Sequence, residues 1–374
     1  MKKVLLTATV QSHICQFHKP LVEILHEKGV EVHVAARDNL AEKNGLKLDF
    51  VDKVFDVPFH RSPFSSKNLK AYKILKKIID DGDYDVIHCN TPVAGILTRM
   101  AAKNARKHGT KVFYTAHGFH FYKGAPKKNW LIWYPIEKFF AKKCDKLITI
   151  TTEDFDLVKN KFKTEVVRIH GVGVDENRFF TVSSEEKLML KREMGFDDDQ
   201  PIILNVGELL PNKNQKMAVR AMKRIVEKYP SAKLFIAGNG SERENLENEI
   251  STLGLNDNVT MLGYCTHLQD YQHIADVLLA CSYREGLPLN VVEAMLSGTA
   301  VVASNNRGHR ELIKDGETGF IVNCNDDVAM ADRVIQLISD SDKRDSMAKA
   351  AEQFALQFDF SNVKKELRYI YFNE

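Results

Sequence analysis

The chain has only six cysteines in 374 residues, and they form no CxxC pair. Cys15, Cys89, Cys144, Cys265, Cys281 and Cys324 follow no regular spacing. That excludes a zinc ribbon or dithiol redox motif and argues against a disulfide frame; reduced thiols in the cytoplasm are expected. No apolar run approaches the roughly 20 residues of a membrane-spanning helix. The opening MKKVLLTATV has a basic tip but too short an apolar stretch and no cleavage site, so a first β-strand is expected rather than a signal peptide. HxxxH, HExxH and clustered Asp/His patterns are missing, so no metal site is expected. GxSxG and other nucleophile motifs are missing too, as are low-complexity segments and solenoid repeats.

What is present fits a globular protein of two ordinary domains: 44% hydrophobic and 28% charged residues. The net charge of +3 conceals an asymmetry. Residues 1–180 hold 31 Lys+Arg against 20 Asp+Glu, and residues 181–374 hold 22 against 30. The N-terminal half is therefore expected to face something anionic, a membrane surface or a phosphorylated substrate. No nucleic-acid module is recognisable, and no nucleic-acid partner is expected.

Short β-branched runs alternate with amphipathic stretches throughout. Strands are predicted at 4–10, 30–37, 85–90, 111–117, 146–151 and 165–170. After a polar interval they resume at 201–207, 232–238, 258–264, 276–282, 300–304 and 319–323. Helices are predicted between them, as at 20–29, 68–81, 92–108 and from Pro288. This is the pattern of parallel sheets with helices on both faces. Ligands of such sheets bind beyond the carboxyl ends of the strands, which singles out the loops after 10, 90, 117, 207, 238, 264, 282 and 304.

Several residues in those loops carry chemistry. In GELLPNKNQ, Gly207 permits a tight turn and Lys213 brings an ammonium to a helix entrance, a combination suited to a diphosphate. Gly238 lies in a second strand-to-helix turn, AGNGSERENL. EGLPLNVVEAM sets Glu285 before a helix and Glu293 within it. A carboxylate there suits the vicinal hydroxyls of a ribose, or is an ordinary helix residue; spacing leaves both open. His117 ends a strand and can bind a sugar hydroxyl or carry a proton, whereas His120 reads as structural and His13, His18 and His88 fall near loops. Segment 119–144 combines both tryptophans and six further aromatics with six lysines and one acid, Glu137. It suits either an anionic bilayer interface or a helix whose aromatics cover the sheet.

Taken in order, VGELLPNKNQ, AGNGSERENLENEISTLGLNDNVTMLGY and SYREGLPLNVVEAMLSGTAVVASNNRGHRELIKDGETGFIV closely resemble the retaining family 4 glycosyltransferases of the GT-B fold. FHKPLVEILHEKGVEVHVAA, HCNTPVAGILTRMAA and YTAHGFHFYKGAPKKNW resemble the branch that builds bacterial capsular and extracellular polysaccharides. The resemblance implies an α/β protein with two doubly wound, Rossmann-like parallel-sheet domains facing a central cleft. It places an acceptor domain at 1–175, a nucleotide-sugar domain at 176–350, and a helix at 351–374 that crosses back. It implies that Glu293 holds the donor ribose and Glu285 the donor sugar. Lys213 and the amides near Leu289 and Asn290 take the diphosphate, Gly207, Glu208 and Gly238 line the donor loops, and His117 touches the sugar.

Two positions depart from the family pattern. Glu208 stands where the family has an arginine, leaving Arg307 or Arg310 to make up the charge, and TATVQSHICQFH replaces a glycine-rich N-terminal loop. The implied reaction is a metal-independent, retaining hexosyl transfer from a UDP-sugar to a polyprenyl-diphosphate-linked glycan. No cofactor is expected, and the protein is expected to sit on the inner face of the cytoplasmic membrane through 119–144. The rival readings are a nucleotide-sugar epimerase of the same fold and a non-catalytic subunit that only binds the nucleotide sugar.

Overall fold

The structure, a computed structural model, describes residues 1–43, 45–63 and 65–374. They form two compact units, Met1–Gly173 with Phe360–Glu374, and Val174–Asp359.

The first unit is built on seven parallel strands: β1 (Lys3–Val10), β2 (Glu31–Arg37), β3 (Lys53–Asp56), β4 (Val86–Asn90), β5 (Lys111–Ala116), β6 (Lys146–Thr149) and β7 (Glu165–Arg168). Their order is β3-β2-β1-β4-β5-β6-β7. β1 and β4 are buried along almost their whole length because helices cover both faces. Leu5, Ile87, Val112 and Leu147 join Leu75 and Ile79 of the helix Lys67–Gly82 in one core. The helix Phe360–Phe372 completes this unit. Its Ile370 carbonyl accepts from Lys146 Nζ at 2.9 Å, and its Tyr371 hydroxyl meets His88 Nδ1 at 2.6 Å.

The second unit has six parallel strands: β8 (Ile202–Val206), β9 (Lys233–Ala237), β10 (Val259–Gly263), β11 (Val277–Ala280), β12 (Ala300–Ser304) and β13 (Phe320–Val322). Their order is β10-β9-β8-β11-β12-β13. Ile203, Leu234, Val277 and Val302 pack on Met217, Met222 and Ile225 of the helix Gln215–Lys228. In each sheet the winding reverses beside the first strand, between β1 and β4 and between β8 and β11. Crossover helices leave to opposite faces there, opening a crevice at the strands' carboxyl ends.

Besides the short edge strand β3, three local features differ from the sequence-based expectation. The segment after β1 is a helix, Gln11–Phe17, followed after His18 by a second, Lys19–Glu27; His13 and His18 therefore sit on and between helices rather than in a loop. The polar interval contains a helix, Ser184–Glu193, started by a reciprocal capping box between Ser183 and Glu186. The stretch 92–108 divides into Pro92–Ala101 and Lys103–Lys107.

The aromatic-basic segment forms the helix Lys127–Ala141. Trp130, Trp133 and Tyr134 pack against the core, while Leu131, Ile132 and Phe139 are exposed. Glu137 turns inward to a buried ion pair with Arg99 at 3.0 Å and accepts from the Tyr114 hydroxyl at 3.1 Å. Among the described residues no helix is long and apolar enough to cross a membrane.

Candidate functional site

The reversal between β8 and β11 gathers Gly207, Lys213, Glu285, Asn290 and Glu293. β8 is followed by Gly207, whose φ of +157° leads the chain sideways into Pro211–Lys213. Asn214, in the left-handed region at φ +52°, then opens the helix Gln215–Lys228. This loop is tied to the one after β11: Tyr283 N donates to the Asn212 carbonyl at 2.9 Å, Asn212 Nδ2 to the Arg284 carbonyl at 2.9 Å, and Asn214 Nδ2 to the Cys281 carbonyl at 3.3 Å. The bracing places Lys213 Nζ 2.7 Å from Glu285 Oε1. With the carboxylate side chain only 14% exposed, this contact is shielded from screening by solvent.

Gly238 shows why the β9 loop belongs to the same site. A Cβ there would lie 1.9 Å from the Gly207 carbonyl oxygen, so only glycine lets the two loops touch. Glu208 is exposed, and its carbonyl accepts from Gln215 Nε2 at 3.1 Å.

The helix Leu289–Leu296 begins behind Pro288 with no side-chain cap. Its first amides, at Leu289 and Asn290, are thus free to take an anion from the crevice. Asn290 Nδ2 donates to the Val206 carbonyl at 2.9 Å, fixing this helix start to the end of β8. Glu293 lies one turn further on. Packing removes water from its carboxyl and raises its pKa to about 7, with the charge of Arg178 pulling it down.

His309 and Asn306, which sequence reading passed over, also belong here. Asn306 caps the helix Arg307–Leu312 and donates to the Ser282 carbonyl at 2.8 Å. His309 donates through Nδ1 to the Ser304 carbonyl at 2.7 Å. Burial lowers its pKa, with opposing influences from Glu285 and Lys213. The signal was in the sequence: Asn306 stands three residues before His309 and two after an apolar strand. Arg307 is buried in that helix, and Arg310 donates to Asn305 Oδ1 at 2.5 Å.

On the first unit, the β1/β4 reversal carries a polar cluster. Thr91 adopts φ +63°, strained for a β-branched residue, and its hydroxyl is 2.7 Å from that of Thr9. His117, just after β5, donates through Nε2 to Asn90 Oδ1 at 3.1 Å and lies 3.2 Å from His13 Nε2. Burial lowers the pKa of His117 to about 4 and takes those of His13 and His18 well below the usual imidazole range. His88 is locked between Tyr371 and Thr115, and His120 stacks on Trp133 with ring centroids 4.6 Å apart. Both are held as parts of the scaffold.

Residues 187–354 match the family described as glycosyl transferases group 1, and residues 20–178 match glycosyltransferase family 4. EpsD of Bacillus subtilis (strain 168), a protein assigned to the glycosyltransferases, is 42% identical over 99% of this chain and 96% of its own. The Escherichia coli UDP-Gal:alpha-D-GlcNAc-diphosphoundecaprenol alpha-1,3-galactosyltransferase is 27% identical over 80% of this chain and 79% of its own. Among solved structures, Anabaena Alr3699/HepE in complex with UDP and glucose superposes with a TM-score of 0.79 at 20% identity, covering 99% of both chains. WaaG, a glycosyltransferase involved in lipopolysaccharide biosynthesis, superposes at 0.74 and 16% identity over 99% of this chain and 100% of its own.

Proposed function

The chain belongs to the group 1 and family 4 glycosyltransferases, and from that premise we propose that it moves a hexose-type sugar, with retention of configuration, from a UDP-sugar to a polyprenyl-diphosphate-linked glycan in cell-surface polysaccharide synthesis. The observation that carries the reading is the convergence of Lys213, Glu285 and the uncapped start of the helix Leu289–Leu296 on one crevice, with Glu293 a turn behind. The name of the Escherichia coli relative, which specifies a UDP-sugar donor and a diphosphoundecaprenol acceptor, supports the substrate classes.

In this assignment Glu293 receives the ribose hydroxyls, and Lys213 with the Leu289 and Asn290 amides receives the diphosphate. Gly207 and Gly238 let backbone approach the nucleotide, and Glu208 contributes main chain to that wall. Glu285 holds the sugar that moves. An arriving diphosphate competes for the Lys213 ammonium and frees the Glu285 carboxylate for a sugar hydroxyl. As the bond from the anomeric carbon to phosphate oxygen breaks, charge grows on the diphosphate, where the ammonium and helix amides are already oriented. The acceptor hydroxyl attacks on the same face and gives its proton to the departing phosphate. No step is assigned to a metal ion or an enzymic nucleophile. We place this chemistry at the inner face of the cytoplasmic membrane, supported by the exposed lysines and apolar side chains of Lys127–Ala141.

The test is thermal unfolding of the wild type and Glu293→Ala with UDP-, GDP-, ADP- and dTDP-sugars. A ligand that binds only the folded chain raises its apparent stability with occupancy. A UDP-sugar should stabilise the wild type and lose that effect in the variant; no shift with any nucleotide overturns the donor site. Glu208, in place of the family's arginine, favours one rival, a subunit that binds but does not transfer. That rival gains if UDP-sugar binds yet no sugar reaches a lipid-linked acceptor.

A further inference from the structure

We propose that His13, His18 and His117 form a binding site for a borderline transition-metal ion, zinc or a close chemical relative, on the first unit. The three residues come from the helix Gln11–Phe17, the break that follows it, and the end of β5. Each offers a ring nitrogen, and these three atoms lie within 4.8 Å of one another. Nε2 of His13 and Nε2 of His117 are 3.2 Å apart. Two ligands of a tetrahedral ion at about 2.0–2.1 Å stand roughly 3.3 Å apart, so that pair already has the spacing of a shared ion.

His18 supplies the second, independent observation. It is 4% exposed, and its Nε2 is buried with no hydrogen-bond partner. A buried nitrogen is costly to leave unpaired, and coordination satisfies it. Its ring centroid lies 5.5 Å from that of His13 and 5.8 Å from that of His117, so a small side-chain adjustment brings all three nitrogens to one centre. Asn90 Oδ1, 3.1 Å from His117 Nε2, or a water completes a fourth position.

The donor set decides the ion. Three imidazoles without a carboxylate suit zinc, cobalt, nickel or copper and offer little to magnesium or calcium. Sequence motifs missed the site because its ligands span a helix break and a gap of about a hundred residues. The inference stands whether or not the chain transfers sugar, since its readout needs no substrate.

The full chain, stripped with chelator, is titrated with Co²⁺. One equivalent should bind with the visible absorption of a four-coordinate ion and be displaced by Zn²⁺ but not by excess Mg²⁺. His13→Gln and His18→Gln should each weaken binding by at least about tenfold, since even groups that merely orient ligands cost 10–100-fold. The exposed His108→Gln should change nothing. Zn²⁺ should raise the thermal midpoint of the wild type and not that of His13→Gln. If His18→Gln does not fold, His13→Gln decides, because His13 is only partly buried. Absence of one-equivalent binding, binding that survives in His13→Gln, displacement by Mg²⁺, or a thiolate-to-cobalt band placing the ion on a cysteine such as Cys15 each overturns the proposal.

Discussion

In the proposed donor site Glu293 combines two demands that pull apart: a carboxylate to receive ribose hydroxyls, and a site packed so closely that the charge is costly. Its pKa is raised from 4.5 to about 7. Below about pH 4.5 the carboxyl is protonated in folded and unfolded chains alike and makes no difference. Between about 4.5 and 7 the unfolded chain ionises first, so it binds fewer protons and stability falls as pH rises. The loss is complete above pH 7 and amounts to about 3 kcal/mol. Glu293→Gln removes this titration. Unfolding in denaturant across that range should therefore show the variant gaining on the wild type as pH rises and holding its advantage above pH 7; a constant difference contradicts the assignment. In the same proposal Lys213 acts on the opposite charge. Lys213→Ala should lower the turnover of sugar transfer by about 10²–10³-fold, the usual consequence of removing one donor from a developing anion, with Lys213→Arg recovering part of it. Equal turnover in Lys213→Ala and wild type removes the lysine from the diphosphate.

At the scale of elements, the fully buried strands were the most legible part of the sequence. β1, β8, β11 and β12 are rich in Val, Leu, Ile and Ala with at most a few polar residues among them, and they lie within two residues of the ends read for them. β3 escaped notice because it is a four-residue edge strand, largely exposed and without a continuous apolar run. The helix Gln11–Phe17 was hidden because its buried residues include Gln11 and Ser12, held by tertiary contacts such as Ser12 N to Asn39 Oδ1 at 3.1 Å rather than by an apolar stripe. The loops of the proposed donor site were legible through glycine and lysine at strand ends, whereas the histidine cluster was not, since its spacing exists only once β1 and β5 share a sheet. Contact between loops is also what Gly238 contributes. Gly238→Ala forces a Cβ into the Gly207 carbonyl and imposes φ +152° on a side-chain-bearing residue. It should destabilise the chain by about 2–3 kcal/mol and weaken donor binding more than Gly254→Ala, whose Cβ meets nothing within 4 Å although its φ is also positive. Thermal unfolding and nucleotide titration of the two variants make the comparison; equal nucleotide affinity in both contradicts the contact.

At the scale of the whole molecule, the excess of 31 basic over 20 acidic residues in the first 180 needs a surface on which to act. The helix Lys127–Ala141 provides one with a definite composition. Its single acid, Glu137, is withdrawn into the pair with Arg99, so the outward face carries Lys127, Lys128 and Lys138 beside Leu131, Ile132 and Phe139. Trp130, Trp133 and Tyr134 are committed to the core, so the apolar contribution to a bilayer falls to the three exposed side chains. Each lysine near an anionic surface contributes about 1 kcal/mol, and apolar insertion adds to it. The chain should therefore sediment with phosphatidylglycerol-containing vesicles and not with phosphatidylcholine vesicles, and salt should release it. Leu131→Glu with Phe139→Glu should reduce that binding sharply while leaving thermal stability nearly unchanged, because both positions are more than half exposed, at 77% and 54%. Vesicle binding that is unaffected by the double substitution, or indifferent to lipid charge, removes this helix as the contact. The proposed transfer to a diphosphate-linked lipid then needs another route to its acceptor.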